Sequence, residues 1–127
     1  MVNHPKPRRE KPLHWVGSAK KDLLALPEDV IDEFGYALGL VQQAGIPPSA
    51  KPWKGEGPGV FELIADHRGC TFRLIYAVRF ADAVYVLHCF QKKSPSGIRT
   101  ARRDVEIVHR RLKAAWADYE VRYGKKT

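Results

Sequence analysis

Three apolar-rich runs, at residues 60–66, 71–79 and 84–91, lie so close together that their connections, HRG and RFADA, leave room only for tight turns. Links this short exclude parallel crossovers, which need a dozen or more residues, and require an antiparallel three-stranded meander. Everything else in the chain has to pack on that sheet.

Before the meander, LHWV at 13–16 reads as a short strand ending at Gly17, and Ser18 as the N-cap of a two-turn helix, AKKDLLAL. Pro27 stops that helix and opens a second one, with Glu28 and Asp29 in the first turn. Val30, Ile31, Phe34, Leu38 and Val41 recur at helical spacing, and Gly45 with Pro47-Pro48 ends the pattern. The Gly- and Pro-rich stretch 49–59 reads as irregular loop. After the meander, Thr100 is expected to cap a long final helix ending near Gly124, with Val105, Val108, Leu112, Trp116, Tyr119 and Tyr123 on one stripe. The expected fold class is α+β: an N-terminal strand and two helices, a meander, and a long C-terminal helix. Residues 1–12, with Pro5, Pro7 and Pro12, are expected to form a flexible basic tail, and 13–127 a single domain.

The hairpin register follows if Ala81-Asp82 is the turn. Phe72, Leu74, Tyr76 and Val78 then share a face with Tyr85, Leu87, Cys89 and Gln91, and with Phe61, Leu63 and Ala65 across HRG. That face is apolar and should be the one the helices cover. The other should carry Arg73, Arg79, Glu62, His88, Phe90 and Lys92 among Val60, Ile64, Ile75 and Val86. The register sets Cys70 and Cys89 about four residues apart along neighbouring strands, roughly 13 Å. A disulfide needs Cα atoms within about 7 Å, so two free thiols in or near the core are expected.

The 22 Lys and Arg against 14 Asp and Glu give a net charge of +8, and the charges are segregated. Residues 22–50 hold five acids and no Lys or Arg, whereas 88–113 hold eight cations against two acids. Two electrostatically different faces are expected, the basic one suited to phosphates or an acidic partner. Apolar runs are no longer than residues 74–78, far short of a membrane span, and the first twelve residues have no signal-peptide apolar core. No membrane partner is expected, and the cytoplasm is the expected location. The two cysteines have no metal-ligand spacing, and no metal or other cofactor is expected.

KPW at 51–53, GPGVFEL at 57–63, FRLIY at 72–76 and above all FADAVYVLHCFQKKSPSGIRTARRDVEIVHRRL at 80–112 resemble the RelE/ParE superfamily of bacterial toxins, and more narrowly its phage-derived, HigB-like branch. The resemblance covers about residues 13–115. It implies a small RelE-like fold, a toxin of a type II toxin–antitoxin system, a cognate helix-turn-helix antitoxin, and ribosome-dependent, metal-independent cleavage of mRNA. Ile64 departs from the pattern, standing where the family commonly has an Arg after Glu-Leu. The tail before Leu13 and the extension past Trp116 have no counterpart in the shortest members.

RNA cleavage without a metal needs a base for the 2′-OH proton, positive charge on the phosphate, and an acid for the leaving oxygen. Arg73 is the candidate for phosphate stabilisation. Lys92 and Lys93 are candidates for phosphate binding, one of them as a base whose pKa adjacent cations lower. His88 is a candidate acid or base. Lys51, Lys54, Arg99, Arg102 and Arg103 are the candidate RNA-binding residues, with Trp53 and Phe90 as stacking surfaces. Each has a structural alternative: Arg73 as the ion-pair partner of Glu62, His88 and the aromatics as core, the lysines as solvated strand-end charges. Two further function classes stay open, a ParE-like toxin that inhibits a protein such as DNA gyrase, and a basic RNA-binding module. The cation cluster favours the nuclease over the first, and the resemblance alone disfavours the second.

Overall fold

A computed structural model of the chain describes residues 10–92 and 101–124. In chain order the elements are β1 (Leu13–Trp15), α1 (Ala19–Leu24), α2 (Glu28–Gln42), β2 (Ala50–Pro52), β3 (Val60–His67), β4 (Cys70–Ala77), β5 (Val84–Lys92) and α3 (Arg102–Tyr123). The five strands form one sheet in the order β1-β5-β4-β3-β2. The meander is antiparallel, as its short links require, and β1 joins its far edge parallel to β5. The α+β class and its order of helices are therefore as read from the sequence.

Four local expectations need correction. The stretch 49–59 is not wholly loop: Ala50, Lys51 and Pro52 pair with Leu63, Glu62 and Phe61. Proline is tolerated there because β2 is an edge strand. Ser18 makes no side-chain cap; its hydroxyl donates to Asp22 Oδ2 at 2.7 Å. Residues 10–12 of the expected tail are tied to the domain: Lys11 N–H donates to Gln42 O and Val84 N–H to Pro12 O. Thr100 lies outside the described residues, and α3 starts after Ala101.

A further correction concerns the faces of the sheet. The register runs as expected from Thr71↔Lys92 to Ile75↔His88, then skips Leu87, so that Tyr76 faces Val86 and Ala77 faces Tyr85. One extra residue in a strand shifts all pairing beyond it by one, and with a period of two every later side chain changes face. Tyr85 and Leu87 thus leave the Leu74 face, and Val84 and Val86 join it. Nor are the helices confined to one side. Val30, Phe34, Leu38 and Val41 of α2 and Leu23 of α1 pack on Leu63, Phe72, Leu74 and Val86. From the other side, Val108, Leu112 and Ala115 of α3 cover Ile75, Tyr85 and Leu87.

The bulge also anchors α3. Arg111 Nη1 donates to Leu87 O at 3.0 Å, and its Nη2 to Ser18 Oγ at 3.1 Å. Gly17 makes room for this guanidinium: it has φ +58°, and a Cβ there would stand 2.8 Å from Arg111 Nε. Farther along α3, Tyr85 O–H donates to Asp118 at 2.6 Å and Tyr119 O–H to Asp82 at 2.7 Å. Cys89 is buried and Cys70 half-buried, both as free thiols.

Replacing Arg111 by Met keeps the aliphatic stem and leaves the Leu87 carbonyl without this donor. The expected loss is about 1–3 kcal/mol of unfolding free energy in urea titration. A change under about 0.5 kcal/mol, the scale of an ordinary surface substitution, would mean that Arg111 is no anchor.

Candidate functional site

Because β2 pairs with β3, Lys51 stands opposite Glu62 and shares its sheet face. Ile64 faces Arg73, which in turn faces Phe90, and two pairs further along Thr71 faces Lys92. These residues lie on the same side of the sheet as α3, beyond the part that Val108 and Leu112 cover. The result is an open cavity of about 500 Å³, lined by Lys51, Pro52, Trp53, Lys54, Glu62, Ile64, Arg73 and Val105. Its walls come from β2 and the loop after it, from the open end of β3 and β4, and from the first turn of α3.

Arg73 Nη1 lies 3.0 Å from Glu62 Oε1, and both side chains are about 15% exposed. The structure thus brings together the two alternatives for Arg73, since it pairs with Glu62 and lines the cavity. A guanidinium with a charge partner is held in position on the cavity wall. Lys51 and Lys54 are exposed at the rim. The loop carrying Lys54 is tied down: Arg79 donates through Nε to Pro58 O at 3.0 Å and through Nη2 to Glu56 O, and the Glu56 carboxylate meets His109 Nδ1 at 3.1 Å. Trp53 is core, with its backbone N–H donating to Val60 O at 2.9 Å.

The other sequence candidates sit elsewhere. Lys92 is half-buried on β5, diagonal to Arg73 on the same face. Arg102 and Arg103 are exposed at the start of α3, Arg102 within 3.5 Å of Glu106. Lys93 and Arg99 lie outside the described residues. His88 is only 5% exposed, with Nε2 2.8 Å from Asp104 Oδ1 and its ring stacked on Phe90 at 4.7 Å. A carboxylate only accepts, so Nε2 carries the proton. Nδ1 is buried with no hydrogen-bond partner among the described residues, and a charged ring would strand a second N–H there. Burial accordingly lowers the His88 pKa below the ordinary 6.5, against the opposing pull of Asp104. The geometry makes His88 a seat for the first turn of α3, which carries Val105 over the cavity.

Reading the sequence missed four lining residues, among them Ile64, which counted only as a departure from the family pattern. Glu62 counted only as a partner for Arg73, although its place in the face was legible; Pro52 and Val105 had no local signal. Among the described residues no three His, Cys, Asp or Glu side chains converge as a metal site, and no helix is long and apolar enough to cross a membrane.

The profile of the family described as Phage derived protein Gp49-like matches residues 21–113, most of the chain. The chain belongs to this family. A double arginine-to-alanine mutant of the Escherichia coli toxin RelE, solved in the free state, is similar in fold, with TM-score 0.53 and 17% identity over 83% of this chain and 97% of that one. The isolated E. coli RelE toxin gives 0.52 and 20% over 79% and 97%. The toxin–antitoxin complex RelBE2 from Mycobacterium tuberculosis matches with TM-score 0.44 and 24% identity over 64% and 96%. No curated protein matches by sequence. The Gp49-like chain thus has the RelE fold, as its motifs imply.

The pKa of His88 gives the Gp49-like protein a pH signature. The unfolded histidine takes up a proton near its ordinary pKa of 6.5 and the folded one only lower, so stability is complete above that value and falls as pH drops through it. Burial lowers His14 too, in the same direction. The urea midpoint should therefore fall between about pH 7.5 and about pH 5.5, and His88→Gln should remove part of the fall. An unchanged slope in His88→Gln would show that the buried ring is not its source.

Proposed function

We propose that this protein is the toxin of a type II toxin–antitoxin pair, neutralised by a helix-turn-helix antitoxin, and that it cuts ribosome-bound mRNA in the cytoplasm without a metal. The observation that carries this reading is the cavity in which Arg73 stands beside Glu62, with Lys51 and Lys54 at the rim. Family membership and the RelE fold support the toxin assignment. The charge layout agrees: Glu28, Asp29, Asp32 and Glu33 are exposed on α2, and Arg102, Arg103, Arg110 and Lys113 on α3, across the sheet from it.

In this mechanism Arg73 carries the negative charge that grows on the phosphate oxygens during attack. The Glu62 carboxylate, on the cavity wall beside it, receives the proton of the 2′-OH as the O2′–P bond forms and the P–O5′ bond breaks. Lys92, diagonal to Arg73, protonates the leaving 5′-oxygen or neutralises it. The products are a 2′,3′-cyclic phosphate and a 5′-hydroxyl end. Lys51, Lys54, Arg102 and Arg103 hold the flanking backbone. His88 positions α3 and does not touch substrate.

The test is translation in vitro of a defined message, with new 5′ ends mapped with and without ribosomes. Arg73→Ala should cut about 100- to 1000-fold more slowly. Because that change removes the charge partner of Glu62, the urea unfolding of Arg73→Ala is measured alongside to show that the variant is folded. Lys92→Ala should be milder. Wild-type protein that stops growth and leaves message intact would favour inhibition of a protein target instead. Normal cutting by Arg73→Ala would reduce Arg73 to a partner of Glu62. Ribosome binding should also weaken steeply with salt, because several phosphate contacts release counterions, and a salt-independent affinity would contradict the basic docking face.

A further inference from the structure

The rim of the cavity accounts for a phosphate, but its apolar part does not. Val105 continues the Val108–Leu112–Ala115 stripe of α3 by one turn, yet it is 38% exposed, because the cavity lies beneath it where the sheet lies beneath the others. The residues around it in the same turn, Arg102, Arg103, Asp104 and Glu106, are all charged. Across the cavity Ile64 stands directly opposite Arg73 in the β3–β4 pairing, an apolar side chain beside a guanidinium. Pro52 and the edge of Trp53 extend the same surface.

A free phosphate gains nothing from an apolar wall. A ligand that joins a phosphate to a flat apolar surface gains from both parts of the cavity. An unstacked nucleotide of a single strand has this composition, whereas a duplex hides its base faces. We propose that Ile64 and Val105 form the seat of one unstacked nucleobase next to the phosphate held by Arg73, and so act as specificity-determining residues. This rests on the RNA reading of the cavity given above. The side chains of Ile64, Val105 and Pro52 carry no hydrogen-bonding group, so the seat selects by stacking area, and purines are favoured over pyrimidines.

The full chain is titrated, with NMR detection, against adenosine 3′-monophosphate, uridine 3′-monophosphate and inorganic phosphate. The adenosine nucleotide should bind about tenfold more tightly than phosphate, the scale of covering part of one base face with aliphatic side chains, with the uridine nucleotide between them. Val105→Thr is near-isosteric at an exposed helix position, and Ile64→Thr keeps a β-branched residue in the strand. Each should draw the adenosine nucleotide towards phosphate and leave phosphate binding unchanged, whereas Arg73→Ala should weaken all three ligands. Equal wild-type affinities for the three, or an unchanged adenosine preference in both threonine variants, would overturn the seat. Its failure is separable from that of the nuclease. Arg73-dependent cleavage without a base preference keeps the nuclease and removes the seat. A base preference without cleavage does the reverse.

Discussion

The hydrogen bond from Arg111 to the carbonyl of Leu87 joins the two features on which the rest of the molecule depends. At Leu87 the β5 strand carries one residue more than its partner, and this extra residue decides which side chains of β5 face α3. With Tyr85 and Leu87 turned to that side, α3 has an apolar surface to cover, and Val108, Leu112 and Ala115 cover it. The same guanidinium reaches Ser18 over the Gly17 turn, tying the start of α1 to the opposite layer. Where α3 stops covering the sheet, the cavity begins.

Two polar contacts set that boundary. His88 meets Asp104 beneath the first turn of α3, and His109 meets the Glu56 carboxylate in the loop after β2. Both are histidine–carboxylate contacts, but they differ in solvation. His88 is buried and neutral by desolvation, so it acts as a fixed support. The side chain of His109 is more than half exposed, and its contact ties the loop down from the surface. Together they hold in place the helix turn that carries Val105 and the loop that carries Lys54, which line the cavity with Arg73 and Glu62.

The site was legible in proportion to how locally it is encoded. That Arg73, Glu62, Ile64, Phe90 and Lys92 share a face follows from strand alternation and short turns, and the observed register agrees as far as Ile75 and His88. Lys51 was legible as a cation, but its place opposite Glu62 required β2, a three-residue strand inside a loop rich in glycine and proline. His88 was read as a candidate acid or base because a lone strand histidine carries no mark of its burial. Its role follows from Asp104, sixteen residues away on another element.

The sequence by itself determined the meander, the amphipathic helices, the segregation of charge and the separation of the two thiols, because each depends on periodicity or spacing within a few residues. The tertiary structure decided which face each half of β5 presents, that a helix covers each side of the sheet, and that an apolar residue of α3 overhangs a cationic cavity. Those outcomes depend on a bulge and on contacts between distant segments. A one-residue bulge leaves the apolar pattern of the strand nearly intact while reversing its side chains, so no reading of the pattern alone could have found it.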